Sequence, residues 1–410
     1  MKVSYSYLPR QFSDIDDLLK DIKKFVKTGD FTLGKPLEKF EKKFAKLMGS
    51  KHAIGVNSGT DAIKLSLNAF GVGVGDEVIT AANTFVATVG AINELGAKPV
   101  FVDCDDTFCM NVDLVEKAIT NKTKAIVPVH FTGYMTNMKQ INKIAKKNNL
   151  VVIEDACQSI LASQDGKIAG TWGATGCFSL HPLKNLNVWS DGGVIITDDS
   201  KLSSKLRLLR NHGLKNRDEI QIMGFNSRLD TIQAVVGNWL IPQTKEIADK
   251  RITNAKYYDD NLSKIPGIKI PPRPNDFKIV YHLYIVFAEN RDKLYQYCLK
   301  FHGNMMKASE MALYAAPVHI ALSYGIPLMF YGENPAHTIG EKHGKLTGDA
   351  IGIRKGNTIK GGPLNLGFNF KKKSDYYFYN YPALKNILKN NLRIIYLGYY
   401  IKDWYGYKNA

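Results

Sequence analysis

The sequence contains no run of about 18 apolar residues, so a membrane-spanning helix is not expected. Its first residues, MKVSYSY, lack the apolar stretch of a signal peptide, and we therefore expect a cytoplasmic protein without membrane insertion. Cysteines are few: there are 5 in 410 residues, none in a C-x-x-C pair, which argues against a disulfide framework. The histidines are scattered without metal-ligand spacing, so we expect no metal site.

Acidic residues are the scarcer charged type, with 38 Asp and Glu against 55 Lys and Arg, and the formal net charge is +17. This excess favours anionic partners such as phosphates, acidic sugars, nucleic acid or a membrane surface. No long basic run alternates with aromatic residues, and the densest cluster is Lys371, Lys372 and Lys373. A solvated loop explains that cluster better than a nucleic-acid contact does, so we expect no nucleic-acid partner.

Short β-branched runs alternate with amphipathic stretches through more than half of the chain. Helical patterns occupy residues 13–49, and the apolar runs that follow are HAIGV, DEVITA, KPVFVD, KAIVPVH, LVVIEDA, GCFSL and GGVIITD. Such alternation predicts an α/β fold with a mostly parallel central sheet and helices on both faces.

Composition and pattern divide the chain into three predicted segments. Residues 1–245 form a large domain with an N-terminal helical arm, residues 246–304 a partial small α+β domain, and residues 305–410 an atypical extension. Residues 231–260 predict a long helix broken near Pro242. A Pro-rich connection, PGIKIPPRP, then precedes a predicted strand, YHLYIVF, and a predicted helix, RDKLYQYCLKFHG.

The turn Asn57-Ser58-Gly59-Thr60 lies between an apolar run and a helical pattern. A Ser-Gly-Thr turn at a helix N-terminus presents free main-chain N–H groups to an anion, and the helix dipole favours the same charge. Plain N-capping by Ser58 or Thr60 explains the same residues. The sequence leaves both interpretations open.

The apolar strand VVIED ends in the carboxylate of Asp155, and open α/β sheets bind ligands at the carboxyl ends of their strands. A carboxylate in this position is suited to pair with a protonated pyridine nitrogen. Gln158, three residues further on, is suited to hydrogen-bond a ring hydroxyl. An ordinary helix N-cap by Asp155 is the alternative interpretation.

Lys184 follows 29 residues after Asp155, beyond one further strand. A lysine amine can form a Schiff base with an aldehyde and can then shuttle a proton. Ser179, at the end of that further strand, offers a hydroxyl to a phosphate. An isolated lysine is usually a surface charge, so the meaning of Lys184 depends on the residues around it.

Ten motifs follow one another in order between about residues 7 and 303. They are FTLGKPLEKFE, NSGTDAIKLSL, GDEVITAANTFVAT, GAKPVFVDCD, IVPVHFTG, VVIEDACQS, CFSLHPLKN, SDGGVIIT, RNHGL and GFNSRLDTIQAVVG. In these motifs the chain resembles the sugar aminotransferases of the DegT/DnrJ/EryC1/StrS family. The resemblance implies a type I fold that binds pyridoxal 5'-phosphate. It also implies transfer of an amino group, usually from glutamate, to a nucleotide-linked keto sugar in amino-sugar or surface-polysaccharide biosynthesis, such as that of lipopolysaccharide O-antigen.

The resemblance assigns the chemistry to three residues. Lys184 would hold the cofactor and shuttle the proton, Asp155 would pair with the pyridine nitrogen, and Gln158 would contact the ring oxygen. Some relatives of the family replace the lysine with histidine and carry out dehydration instead. The presence of Lys184 argues against that branch.

The resemblance also assigns residues that only bind the cofactor. Gly59, Thr60 and Ser179 would hold its phosphate, and Phe85 would stack on its ring. Asn226 would reach the phosphate of the cofactor in a neighbouring subunit, which implies a homodimer.

The tail of the chain departs from the family pattern. The segments APVHIALSYGIPLMFYGENPAHTIG and LRIIYLGYYIKDW resemble the C-terminal part of N-acetyl sugar amidotransferases, which use ATP. Their Ser-Gly-Gly-x-Asp-Ser loop is absent from this sequence, so ATP-dependent amidotransferase activity is the less favoured function. The tail is either an appended element or a gene-fusion remnant. A remnant would make the chain a catalytically impaired chimera or an interaction protein that retains the fold.

Overall fold

The computed structural model describes residues 7–265, 267–288, 328–331, 386, 389 and 393–396 of the 410-residue chain. The chain divides into two compact units, one made of Met1–Asn261 with Ile270–Ile285 and the other of Leu262–Lys269 with Val286–Ala410. The domain boundaries expected at residues 245 and 304 stay predictions. The helix predicted over RDKLYQYCLKFHG lies outside the described residues, as does most of the extension after residue 304.

Helices and strands alternate in the first unit, as the sequence pattern predicts. The α-helices are α1 (Leu8–Gln11), α2 (Asp16–Val26), α3 (Lys35–Met48), α4 (Gly59–Ala69), α5 (Val86–Asn93), α6 (Met138–Lys147), α7 (Ser200–Leu209), α8 (Thr231–Leu240) and α9 (Thr244–Leu262). A 3-10 turn, Ile241–Gln243, separates α8 from α9 and contains Pro242, so the predicted break in the long helix is confirmed. Over the described ranges, no helix is both long and apolar enough to cross a membrane.

The strands of both units are mostly short. They are β1 (His52–Val56), β2 (Glu77–Ala81), β3 (Lys98–Val102), β4 (Thr123–Val127), β5 (Val151–Asp155), β6 (Ser163–Gln164), β7 (Lys167–Ile168), β8 (Thr175–Ser179), β9 (Gly193–Thr197), β10 (Ile268–Lys269), β11 (Phe277–Lys278), β12 (Phe287–Ala288), β13 (Leu328–Tyr331) and β14 (Arg393–Tyr396). In the second unit, β10 pairs antiparallel with β12 and β13 pairs parallel with β14.

Seven strands of the first unit form the central sheet in the order β1-β9-β8-β5-β4-β2-β3. β5 runs parallel to β4 and β8, and β2 runs parallel to β3 and β4. Within this sheet β9 runs opposite to the other six strands and pairs antiparallel with β1 and β8. These strands coincide with the apolar runs of the sequence, so the predicted mostly parallel α/β sheet is confirmed.

Successive residues of the central strands are buried on opposite faces of the sheet. Val152 and Phe178 belong to one hydrophobic cluster, whereas their neighbours Ile153 and Cys177 belong to another. This alternation is the two-residue period of a strand, and it gives the sheet an apolar layer on each side. Residues of α3 and α8 contribute to the first cluster and residues of α4 and α7 to the second. Because both faces are covered, ligands have access only to the edges and ends of the strands.

The strand predicted over YHLYIVF, residues 281–287, is wrong for most of its length, since strand β12 begins only at Phe287. Tyr281 has a positive φ of 49°, which interrupts an extended chain. The carbonyl oxygens of Tyr281 and His282 accept hydrogen bonds from Nη1 of Arg251, at 3.0 and 3.2 Å. Helix α9 therefore satisfies main-chain groups that a strand ladder would have used.

Candidate active site

The carboxyl ends of two neighbouring parallel strands form the floor of the site. Asp155 ends β5 and Ser179 ends β8, and Asp155 lies in register with Cys177. The Asp155 side chain is almost completely buried. The predicted placement of a carboxylate and a hydroxyl at adjacent strand ends is therefore what the structure shows.

Helix α4 begins directly against this floor. A Cβ atom added to Gly59 would lie 2.8 Å from Cβ of Ser179 and 2.8 Å from Sγ of Cys157, so the approach requires a residue without a side chain. Gly193 allows a second close approach, since a Cβ at this position would lie 2.1 Å from the carbonyl oxygen of Ser58. These two glycines bring the start of α4 to the end of β8.

The first turn of α4 supports both interpretations of the Ser-Gly-Thr motif. Ser58 is the N-cap, and its Oγ accepts a hydrogen bond of 3.1 Å from the N–H of Asp61. The N–H of Ala62 bonds to the carbonyl oxygen of Ser58. Gly59 and Thr60 therefore keep main-chain N–H groups without a partner among the described residues, at the positive end of the helix dipole. Capping by Ser58 is confirmed, and the turn still has donors for an anion.

The Asp155 carboxylate is held by hydrogen bonds on both oxygens. Its Oδ2 accepts from Oγ1 of Thr88 at 2.7 Å, and its Oδ1 accepts from the N–H of Cys157 at 3.2 Å. The chain after Asp155 forms turns and no helix before β6, so the interpretation of Asp155 as a helix N-cap is wrong. The carboxylate instead closes a local turn at the strand end.

Lys184 lies in a turn after β8 and is partly buried. Its N–H donates to the carbonyl oxygen of His181 at 2.8 Å. Its own carbonyl oxygen accepts from the hydroxyl of Tyr7 at 3.2 Å and from Nδ2 of Asn187 at 3.1 Å. Three hydrogen bonds therefore hold the main chain of Lys184 in place.

The charges of both proposed catalytic residues affect the pKa of the Cys157 thiol. Burial raises the pKa of Cys157 well above its usual value, the negative charge of Asp155 raises it further, and the positive charge of Lys184 opposes this effect. Both charges therefore act on the same thiol. The side chains of Lys184 and Asp155 are thus both within electrostatic range of Cys157.

Two further predicted residues flank this region. Oε1 of Gln158 accepts a hydrogen bond of 2.7 Å from the N–H of Thr132, which leaves the amide NH2 group to donate. Phe85 is the N-cap residue of α5, and the residue is 67% exposed. An exposed aromatic ring one helical turn before Thr88 has a free face for a flat ligand.

Asn226 lies in a different recess. It lines a cavity of about 250 Å³ together with Asn57 and Arg228, and its side chain is exposed. The adjacent Ser227 fixes this segment to α4, because its Oγ donates to Oδ2 of Asp61 at 2.7 Å. The structure thus places Asn226 beside α4 with its side chain facing outwards.

The sequence analysis missed two residues of this region. Thr88 is fully buried against Asp155, and its four-residue spacing from Thr84 within NTFVAT was the available signal. The second residue is His282, whose pKa is lowered to about 3 by burial and by the positive charges of Lys184, Arg251 and His181. Across the described residues, no group of three or more His, Cys, Asp or Glu side chains is placed to hold a metal ion.

A model of the DegT/DnrJ/EryC1/StrS aminotransferase family matches residues 13–325 of the chain. The chain belongs to this family. The predicted resemblance is therefore confirmed, although the match extends beyond residue 303, where we expected it to end. Members of the DegT/DnrJ/EryC1/StrS family are aminotransferases that depend on pyridoxal phosphate, and the type I α/β fold expected from the resemblance is confirmed as well.

Three relatives illustrate this membership. The pleiotropic regulatory protein of Geobacillus stearothermophilus is 40% identical over 78% of this chain and 86% of its own length. The UDP-N-acetyl-3-dehydro-alpha-D-glucosamine 3-aminotransferase of Acidithiobacillus ferrooxidans is 39% identical over 76% of this chain and 80% of its own. The solved structure of NtdA from Bacillus subtilis with bound cofactor PMP is 33% identical, with a TM-score of 0.66, and covers 73% of this chain and 70% of that one. The resemblance of the tail to amidotransferases stays a prediction.

Proposed function

We propose that this protein transfers an amino group from glutamate to the keto group of a nucleotide-linked sugar, with pyridoxal phosphate as cofactor. One observation carries the proposal: the strand end that holds the Asp155 carboxylate lies against the start of α4. Oδ1 of Asp155 accepts the N–H of Cys157 at 3.2 Å, and a Cβ on Gly59 would lie 2.8 Å from Sγ of that cysteine. The charge of Lys184 acts on the same thiol. An amine, a carboxylate and an anion-binding helix start are the groups that this cofactor requires. The names of the relatives support the sugar-nucleotide substrate, since one of them acts on a UDP-linked keto sugar.

The residues of the site fit pyridoxal phosphate. The group supplies an aldehyde and an electron-withdrawing ring when it is bound. The N–H groups of Gly59 and Thr60 and the hydroxyl of Ser179 would hold the phosphate; the lack of a side chain at Gly59, which keeps α4 close to Ser179, supports this. The free NH2 group of Gln158 would donate to the ring oxygen, and the exposed face of Phe85 would cover the ring.

Asp155 and Lys184 would act in acid–base catalysis. The buried carboxylate of Asp155 would hold a proton on the ring nitrogen by ion pairing, which keeps the ring positively charged. The Lys184 amine would bond the aldehyde carbon and, once released, would move a proton between the two carbons that exchange the amino group. Lys184 is partly buried, which would limit the access of water to that amine.

A homodimer is part of the proposal. Asn226 is exposed and lines a recess with Asn57 and Arg228, so its amide is available to a second subunit. We propose that it reaches the phosphate bound by the neighbouring protomer. We further propose that the protein works in the cytoplasm, where it would supply amino sugars for surface polysaccharides such as O-antigen.

The test is spectroscopic and uses the full chain. Protein purified with pyridoxal phosphate should show an absorption band of the lysine-bound cofactor, and borohydride should trap the cofactor on Lys184. Lys184→Ala should remove the band, whereas Lys167→Ala, which alters an exposed lysine packed over Trp172, should keep it. Addition of glutamate should convert the wild-type spectrum to that of the amino form. A wild type without a borohydride-trappable band would contradict the proposal.

A second function is favoured by one comparison. The relative from Geobacillus stearothermophilus is named a pleiotropic regulatory protein, which agrees with an interaction protein that retains the fold. That function predicts cofactor binding without conversion of the spectrum by amino-acid donors. The glutamate addition therefore separates the two functions in one experiment.

A further inference from the structure

A directional hydrogen-bond chain links α5 to the proposed ring-binding carboxylate. Oγ1 of Thr88 donates to Oδ2 of Asp155 at 2.7 Å, and Oγ1 of Thr84 lies 2.7 Å from Oγ1 of Thr88. A threonine hydroxyl has one proton, and that of Thr88 is used on the carboxylate. Thr84 must therefore donate to Thr88, so the direction of the whole chain is fixed.

The chain also crosses the start of α5. Thr84 and Thr88 lie on either side of Phe85, the N-cap residue, and the N–H of Thr88 bonds to the carbonyl oxygen of Phe85 at 3.1 Å. Phe85 has no side-chain cap of its own. The bridge between the two threonine hydroxyls therefore restrains the turn that carries the aromatic ring.

In the part of the chain that the structure describes, the hydroxyl of Thr88 is the hydrogen-bond donor on Oδ2 of Asp155. Its Oδ1 accepts the N–H of Cys157 within a local turn, whereas its Oδ2 depends on Thr88. Thr88 is 0% exposed, so no water replaces its hydroxyl if it is removed. Loss of that hydroxyl would remove this donor from Oδ2 and leave the carboxylate oriented chiefly by the hydrogen bond on Oδ1.

We propose that Thr88 is a positioning residue that fixes Asp155 relative to Phe85, so that a single hydrogen-bonded unit recognises both the nitrogen and the face of the cofactor ring. This inference rests on the proposed function. It adds Thr88 and Thr84 to the site as residues that act through their neighbours. Neither of them needs to touch the cofactor.

The test measures the dissociation constant of pyridoxal phosphate in the full chain, without any substrate. Thr88→Val, which keeps the shape but removes the hydroxyl, should weaken binding about tenfold, because a hydrogen bond to a charged group is lost. Thr88→Ser keeps the donor and should bind within about twofold of the wild type. Thr84→Val should weaken binding less than Thr88→Val does.

A matched control separates positioning from stability. Thr80 is also fully buried, and its Oγ1 donates to the carbonyl oxygen of Val127 at 2.9 Å, between the neighbouring strands β2 and β4. Thr80→Val should lower the unfolding temperature about as much as Thr88→Val, with cofactor affinity unchanged. If both variants weaken cofactor binding equally, Thr88 acts only through stability and the inference is overturned.

A double-mutant cycle identifies the residue through which Thr88 acts. In an Asp155→Asn background, Thr88→Val should change the dissociation constant by less than about twofold, because the positioned carboxylate is already gone. A further tenfold loss in that background would overturn the inference. If the wild type itself binds no cofactor, the proposed function fails. If the wild type binds and Thr88→Val binds equally well, only this inference fails.

Discussion

Nε2 of His130 lies 2.8 Å from Oε2 of Glu154, and both side chains are completely buried. The N–H of Thr136 donates to Nδ1 of His130, so Nδ1 acts as an acceptor and Nε2 as the donor to Glu154. The same carboxylate accepts main-chain N–H groups of the loop between β7 and β8, those of Gly170, Trp172 and Gly173. Glu154 thus orders that loop from the face of the sheet opposite to Asp155.

Glu154→Gln should destabilise the protein by about 3 kcal/mol, because an amide NH2 would face donors that now bond to a carboxylate. Denaturant unfolding monitored by tryptophan fluorescence measures the change, since Trp172 lies in the affected loop. The control is Glu116→Gln, which alters a half-exposed side chain paired with Lys147 and should cost less than about 1 kcal/mol. Equal losses for the two variants would contradict this account of Glu154.

Gly59→Ala should lower the affinity for pyridoxal phosphate at least about tenfold. The new Cβ would lie 2.8 Å from Cβ of Ser179, so either the first turn of α4 or the end of β8 must move away. Fluorescence titration with the cofactor measures the loss. Gly90→Ala is the matched control, because its Cβ would meet no atom within 4 Å. It should leave the affinity unchanged and stabilise α5 by up to about 1 kcal/mol.

The sheet and its order of helices were predictable because each strand coincides with a local apolar run. The same reasoning placed Asp155 and Ser179 at strand ends, since the residue that ends an apolar run is visible in the sequence. Glu154 shows the limit of this reasoning. It is one polar residue within such a run, and its burial depends on donors 16 to 19 residues away.

The contact between Thr88 and Asp155 was not predictable, because 67 residues separate the two side chains. The spacing of Thr84 and Thr88 indicates that their two hydroxyls can meet, but the contact with Asp155 depends on how the start of α5 lies against the end of β5. The error at Tyr281 has a similar origin. The residues of YHLYIVF have a high strand propensity, yet Arg251 from α9 takes the main-chain carbonyl oxygens that a partner strand would need.

Glu41→Gln should cost about 3–5 kcal/mol of stability, because it leaves a buried guanidinium without its counterion. Glu41 forms ion pairs with Arg210 and Arg207, and it also accepts the N–H of Gly55 at 2.8 Å. Burial lowers the pKa of Arg210, and the charge of Glu41 opposes that effect. Chemical denaturation measures the loss. Arg207→Lys, at a side chain that is 40% exposed, should cost less than about 1 kcal/mol. A loss below that value for Glu41→Gln would contradict the prediction.

His282 should make the protein sensitive to mild acid. Its pKa is about 3 in the folded state, against an ordinary value of 6.5, because burial and the charges of Lys184, Arg251 and His181 disfavour its protonated form. Its Nδ1 is buried without a hydrogen-bond partner, so a proton there would have no acceptor. Between pH 6.5 and pH 3 the unfolded chain binds a proton that the folded chain does not. Stability is therefore complete above pH 6.5 and falls as the pH decreases through this window.

His282→Gln removes this titration and keeps a polar side chain. From pH 6.5 to pH 5, the wild type should lose up to about 2 kcal/mol more stability than the variant, at up to about 1.4 kcal/mol per pH unit. Denaturant unfolding at the two pH values measures the difference, and His52→Gln, at a histidine near the surface that bonds to Ser200, is the control that should behave like the wild type. If the wild type and His282→Gln lose the same stability on acidification, the imidazole of His282 is already protonated at neutral pH or remains accessible to water. Either case would contradict the conclusion that burial and the positive charges of Lys184, Arg251 and His181 lower the pKa of His282.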